Sequence, residues 1–233
     1  MKTVLISFFL FFAGILCAQD KGIATIPADA IQDYLAETKE YSVLYSGKFE
    51  TPYDQSYTNH PYLETAQYVQ GTLCYNQVVY QDIFMRLDLF RDELSVAFPT
   101  KINRVVLEKE KFNYAVINGL TVFVSTNNAS KTGTKYMLMV KDGIFPVVKQ
   151  YRVLIREEVV NRSMKRTFLF QEQYFVYIGN IACPVKNKND LLTLFADKKK
   201  ELNDYANQRK LNFRKQFGES VIALVEQYEA MIH

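Results

Sequence analysis

The 233-residue chain has no tryptophan, two histidines, three cysteines and nine glycines. Each shortage closes off a chemistry. A histidine-based nucleophile triad would have to use His60, because His233 is the last residue, and no Gly-x-Ser-x-Gly elbow is present. Zinc sites need clustered His and Cys ligands, and one loop histidine with isolated cysteines offers no such spacing. The glycines form neither a phosphate-cradling loop nor a dinucleotide fingerprint, so neither a metal nor a cofactor is implied. No sign of charge dominates: 28 Lys and Arg against 25 Asp and Glu leave +3. That near-balance predicts no nucleic-acid partner.

What is present begins with residues 4–16 (VLISFFLFFAGIL), an uncharged apolar run preceded by Lys2 and followed by Ala18. The pattern is that of a secretory signal peptide over residues 1–18, cleaved before Gln19. It is shorter than the ~20 apolar residues of a membrane span. Lipid modification of Cys17 is an alternative end to the signal, although Leu16 stands where such signals carry a small residue. Either way the rest of the chain is expected outside the cytoplasm. Cleavage would leave two cysteines, Cys74 and Cys183. In an oxidising compartment they can pair, stabilising the fold by ~3–5 kcal/mol in the chain-entropy model. Equally, they can be two buried thiols serving as small apolar residues.

The remainder has globular composition, 48% hydrophobic and 23% charged, with Tyr 16 and Phe 17. Residues 19–40 read as a helical lead-in, with Pro27 opening a short helix over 27–40 and Ile31, Tyr34 and Leu35 at helical spacing. From residue 41 the period changes to two. Strand signals cover 71–75 and 78–90, flanking a tight Asn76-Gln77 turn, then 94–98, 102–107, 112–117, 120–125, 135–141, 144–156, 165–171 and 174–178. Asn118-Gly119, residues 131–133, Asp142-Gly143 and Gly179-Asn180 supply turn chemistry. Residues 83–90 (IFMRLDLF) alternate most strictly, with Ile83, Met85, Leu87 and Leu89 on one side and Arg86 and Asp88 on the other. Such alternation predicts a strand wet on its Arg86 face. The short connections leave no room for crossover helices.

The fold class that follows is mainly β (α+β), a curved or partly closed antiparallel meander over residues 41–185. A C-terminal helical segment, residues 186–233, packs on it. Within that segment Leu211-Asn212 reads as a break, and Phe213, Phe217, Val221, Leu224 and Tyr228 form an amphipathic stripe.

Chemistry has few footholds. Asp88, Asp92 and Glu93 cluster at one hairpin and are the candidate acids of an unfamiliar hydrolase, against a default of solvated turn residues. Tyr53, Tyr57, Tyr62 and Tyr68, with His60 among them, could form an aromatic platform; otherwise their rings cover the sheet edge. A concave sheet could instead hold an apolar, lipid-like molecule against Met85, Leu87 and Met137. Lys198, Lys199 and Lys200 with Arg209, Lys210, Arg214 and Lys215 form either a peripheral contact for anionic lipid or the solvated face of the terminal helices.

Several of these runs also follow a wider pattern. Gly71 to Tyr75, Val79-Tyr80 and Met85-Arg86-Leu87-Asp88-Leu89-Phe90-Arg91-Asp92-Glu93-Leu94 resemble a family of uncharacterised exported proteins of Bacteroidota. His60-Pro61-Tyr62 is similar to a His-Pro-aromatic element of that family. The run from Asp190-Leu191-Leu192 through Lys210-Leu211-Asn212-Phe213 to Tyr228 is similar to its helical tail. The resemblance implies a periplasmic or outer-membrane-associated protein and transfers no activity. The expectation is an envelope protein that binds a protein partner or an apolar small molecule without catalysis.

Overall fold

The computed structural model describes residues 24–26, 43–98, 104–125 and 134–232. Residues 1–18, expected to be a signal sequence, with Cys17, and the helix expected over 27–40, the turn expected at 131–133 and His233 lie outside the described residues. The described residues form twelve strands and three α-helices, ordered as one extended sheet followed by the helices. Starting from one edge the sheet runs β12 (Ile181–Val185), β11 (Ser163–Ile178), β10 (Val147–Val160), β9 (Tyr136–Lys141), β8 (Leu120–Val124), β7 (Phe112–Ile117), β3 (Val69–Tyr75), β4 (Val78–Asp88), β5 (Glu93–Ala97), β6 (Arg104–Val106) and β2 (Lys48–Phe49). Its pairs are antiparallel apart from β1 (Ala24–Ile26), which lies parallel to the first part of β4 (Val78–Asp88). That strand falls inside the stretch expected to be a helical lead-in. Val43–Tyr45, read as extended, is a 3-10 turn.

Two-residue turns set the register. Asn76 and Gln77 (φ 51° and 63°) join β3 (Val69–Tyr75) to β4, and Asn118 and Gly119 (φ 50° and 78°) join β7 (Phe112–Ile117) to β8 (Leu120–Val124). Asn161 and Arg162 (φ 50° and 63°) join β10 (Val147–Val160) to β11 (Ser163–Ile178). Positive φ at both central residues matches the right-handed twist of the flanking strands, and asparagine tolerates it best after glycine. The Asn161-Arg162 turn has nearly the same φ pair as Asn76-Gln77 but falls in the 157–164 gap left between the expected strands. As a result β10 and β11 are longer than the alternation predicts. The expected gap at residues 172–173 is continuous strand, its run of Gln171, Glu172 and Gln173 being solvent-facing. The edge strand β12 (Ile181–Val185) was also unread, because Pro184 argues against a strand except at an edge.

The first half of the sheet curls tightly. β6 (Arg104–Val106) and β7 are four strand spacings apart in the order, ~19 Å in a flat sheet. Residues 107–111 connect them through a 3-10 turn at Lys109–Lys111, and Asp92 of the β4–β5 turn accepts from the Tyr136 amide of β9 at 3.1 Å although β4 and β9 are also four spacings apart. The sheet must therefore fold across itself. β4 bends where Gln81 and Asp82 (φ 58°) sit opposite Thr72 alone, a bulge between its β1-paired and β5-paired parts. Gly71 lies at the same bend, where a Cβ would run into the Val116 carbonyl of β7. The path stays open, since β12 and β2 (Lys48–Phe49) are not paired with each other. The concave face holds a core of Leu73, Tyr75, Leu94, Val96, Ile117 and Leu138. Met85 and Leu87 are in that core, fully packed.

A second core forms where α1 (Lys188–Leu194), α2 (Lys199–Gln208) and α3 (Phe217–Ile232) cover the base of β10, β11 and β12. The predicted stripe Phe213, Phe217, Val221, Leu224 and Tyr228 is its helical side. Asn187 caps α1 by accepting from the Asp190 amide at 3.1 Å, while Asp190 accepts from the Asn187 amide at 3.2 Å. Glu229 fixes α3 to the β9–β10 link: it accepts from the Phe145 amide at 2.9 Å and pairs with Lys141 at 2.6 Å. Here β9 is Tyr136–Lys141. No described helix is long and apolar enough to cross a membrane.

Candidate binding recess

The strand expected to be wet on one face is buried on both. Arg86 and Asp88 lie under residues 50–68, which fold back over the outer face of β4. Arg86 donates to both Glu50 carboxylate oxygens at 2.8 and 2.9 Å and to the Ala66 carbonyl. Its guanidinium is sandwiched between Tyr62, 3.7 Å from the ring centroid, and Tyr68, at 4.5 Å. The Tyr68 hydroxyl donates to Glu50 at 2.7 Å, and burial pushes its pKa up. Alternation alone could not show this cover, because the groups that neutralise Arg86 stand far from it in sequence.

The three candidate acids are each consumed by the fold. Asp88 Oδ2 accepts from the Tyr53 hydroxyl at 2.7 Å, and Oδ1 accepts from the Phe90 and Arg91 amides at 2.9 Å each. Burial raises the Asp88 carboxyl above its ordinary value, against the pull of those bonds. Asp92 accepts from the Tyr136 amide at 3.1 Å and pairs with Lys109, so it joins the β4–β5 turn to β9 and to the β6–β7 connection. Glu93, at the start of β5 (Glu93–Ala97), is paired with Lys48. A glycosidase needs two carboxylates facing one substrate, and these three face their own chain. Among the described residues no three His, Cys, Asp or Glu side chains converge as a metal would require. Cys74 on β3 and Cys183 on β12 are free thiols on strands separated by five others.

The tyrosines divide between cover and recess. Tyr57 stacks on Phe168 of β11 with ring centroids 4.6 Å apart, and Tyr53 meets the same ring edge-on at 5.2 Å. Main-chain bonds accompany the stack: the Arg166 amide donates to the Ser56 carbonyl at 2.9 Å and the Thr58 amide to the Arg166 carbonyl at 2.8 Å. Asn59 finishes the attachment, its side chain accepting from the Phe168 amide at 2.8 Å and donating to the Phe168 carbonyl at 3.0 Å. The loop is thus a clip between β4 and β11. Deleting residues 51–62, which would be harmless for a dispensable loop, would here strip Asp88 and Arg86 of partners.

Beyond the clip the loop and the β10–β11 arm diverge, leaving a recess of about 360 Å³. His60, Tyr62 and Leu63 form one wall, Leu89 the floor side, and Tyr151 and Phe170 the arm wall. His60 stacks on Tyr62 at 5.9 Å, and its Nδ1 is buried without a hydrogen-bond partner among the described residues. Tyr151 and Phe170 meet edge-on at 6.2 Å. Behind them Glu172 accepts from Lys149 at 3.0 Å, Tyr151 at 3.1 Å and Tyr174 at 2.8 Å. Burial alone would raise the Glu172 carboxyl, but those donors hold it below its ordinary value. Of the residues singled out from sequence, His60 and Tyr62 line this recess. Tyr53 and Tyr57 serve the clip, and Met85 and Leu87 fill the core. Leu89, Tyr151 and Phe170 carried no sequence signal beyond belonging to alternating strands.

A second hollow of about 600 Å³ lies among polar residues of α1 and α2, including Asn189, Asp197, Lys199 and Lys200. It is a groove between solvated side chains, with Leu192 and Ala196 as its apolar members. No family model, curated protein or solved structure matches the chain.

Proposed function

We propose that this chain is a non-enzymatic binding module of the cell envelope, and that it recognises its partner with the recess between the clip and the β10–β11 arm. The observation that carries the reading is the contrast in how polar groups are used. Asp88, Asp92, Glu93 and Arg86 are all bonded within the fold, whereas the recess is open and lined mainly by Tyr62, Leu63, Leu89, Tyr151 and Phe170, with Asn59, His60 and Glu64 as its polar members. Aromatic-lined concavities with a few polar groups are typical of recognition sites, and tyrosine adds a polar tip to apolar area. The packing of Met85 and Leu87 in the core favours this surface over a lipid pocket within the sheet. An envelope setting rests on the apolar run at residues 4–16.

Site-specific crosslinking in cells tests the assignment. A photoreactive phenylalanine analogue at position 170 should yield a discrete adduct, and the same group at exposed Glu226 on α3 should not. Equal yields at both positions, or none at 170, would contradict it.

A further inference from the structure

The outer edge of β11 is occupied at both ends and open in the middle. Toward the chain's C-terminus, β12 pairs with it from Tyr174 to Ile178. Nearer the arm's turn, the clip takes the main-chain groups of Arg166 and Phe168. The register with β10 is unbroken from Val147↔Val176 to Val160↔Ser163, so main-chain direction alternates strictly along β11. Arg166, Phe168 and Tyr174 point their N–H and C=O groups outward, and so must Phe170 and Glu172. No described residue pairs with β11 at Phe170 or Glu172 on that side. Both residues are exposed. The window between Phe168 and Tyr174 spans six residue steps, about 20 Å, which suits an added strand of about four or five residues.

Side chains on this edge serve the recess. Phe168, Phe170 and Glu172 share one face of β11, the face against which the clip lies and on which Phe170 walls the recess. Building on the recess as the recognition surface, we infer that its occupant is an extended peptide segment that pairs with the β11 edge at Phe170 and Glu172 and drops an apolar or aromatic side chain into the recess. Such strand addition draws affinity from main-chain bonds and specificity from alternate side chains. The same edge already accepts an extended segment of its own chain, since Tyr57 bridges Arg166 in parallel fashion. Tyr62, Leu63, Leu89, Tyr151 and Phe170 select the inserted side chain by apolar contact. Exposed unpaired edges are commonly guarded by charge, proline or cover. β12 carries Pro184 and β2 is two residues long, while in the β11 window the charge of Glu172 is already paired with Lys149 and an exposed ring, Phe170, stands beside it.

The test is selection followed by amide exchange. A random twelve-residue display library is panned on the purified chain, with the Phe170→Ala chain as counter-target, and enriched peptides are synthesised. The inference expects peptides with one central apolar or aromatic residue that bind the Phe170→Ala chain at least about tenfold more weakly. N-methylation should weaken binding about tenfold at alternate peptide positions and leave it unchanged at the intervening ones. On binding, the Phe170 and Glu172 amides should gain protection, while Leu169 and Gln171, which face β10, should not change. Enrichment of no peptide over the counter-target would overturn the inference. So would binding without the alternating pattern, or protection confined to other strands. If an adduct forms at position 170 in cells while Phe170 and Glu172 stay unprotected with every peptide, the recess still binds a partner, but not as a strand.

Discussion

β4 and β11 are bridged by the same loop, yet they are treated in opposite ways. β4 is sealed: its outward Arg86 and Asp88 are buried, and five hydrogen bonds to Glu50, Tyr53, Phe90 and Arg91 hold them. β11 is covered by the clip at Arg166 and Phe168 and by β12 from Tyr174 onward, but between them Phe170 is 39% exposed beside unpaired main chain. Removing the partners of a buried charge costs several kcal/mol, so opening the outer face of β4 to a ligand would be costly. An exposed ring beside an open edge costs the free protein little and is available for contact. The comparison teaches that the charged cluster with the look of an active site is scaffold, and the plainer aromatic stretch is the surface to test.

The comparison breaks most severely at Arg86. Arg86→Ala leaves Glu50 buried without its cation and should destabilise the protein by about 3–5 kcal/mol in urea unfolding. Phe168→Ala removes the ring on which Tyr53, Tyr57 and Phe90 converge, and should cost about 3 kcal/mol. It should also raise proteolytic cleavage within residues 51–62. A cost under about 1 kcal/mol would show that the clip is not closed in solution. Tyr53→Phe removes the hydroxyl bonded to Asp88 and should cost about 1–2 kcal/mol, since the buried carboxylate loses a donor.

Acidity sharpens the contrast because the two strands' carboxyls are displaced in opposite directions. Glu172 is held below its ordinary value, so its contribution is present above the unfolded pKa of about 4.3 and is lost as pH falls through the folded value. Asp88 is raised by burial, so its contribution is greatest below the unfolded value of about 3.9 and declines as pH rises through the folded one. In stability profiles from pH 2.5 to 7, Glu172→Gln should flatten the acid limb, and Asp88→Asn should flatten the decline above it. Matching profiles for the two variants would mean the environments are alike. Smallest of all is the effect of Phe170→Ala on folding, within about 1 kcal/mol because the ring is half solvated already.

Much of the scaffold was legible. Asn76-Gln77 gave a turn with both residues at positive φ, and the stripe from Phe213 to Tyr228 faces the helical core. The inward side of β4 followed from alternation, since Ile83, Met85 and Leu87 are buried. Its outward side did not, because whether Arg86 is wet depends on Glu50 and Tyr62, placed by the fold rather than by local pattern. The arm was underestimated for a local reason: Asn161-Arg162 forms nearly the same turn as Asn76-Gln77, but Glu157-Glu158 before Asn161 and Arg162-Ser163 after it break the alternation that marked the strands around Asn76-Gln77. Half the recess was therefore invisible. His60 and Tyr62 stood out in a tyrosine-rich loop, whereas Tyr151 and Phe170 become neighbours of it only once that long hairpin forms.

The most direct test needs no ligand. Residue-resolved amide exchange along β11 in the free protein compares positions that face outward. Arg166 and Phe168 donate to the clip and should be strongly protected, while Phe170 and Glu172 should exchange orders of magnitude faster, between protected Leu169 and Gln171. That alternation is the signature of an edge closed at both ends and open beside the recess. Uniform protection from Arg166 to Tyr174 would mean the edge is already covered, and uniform fast exchange would mean the clip is not there.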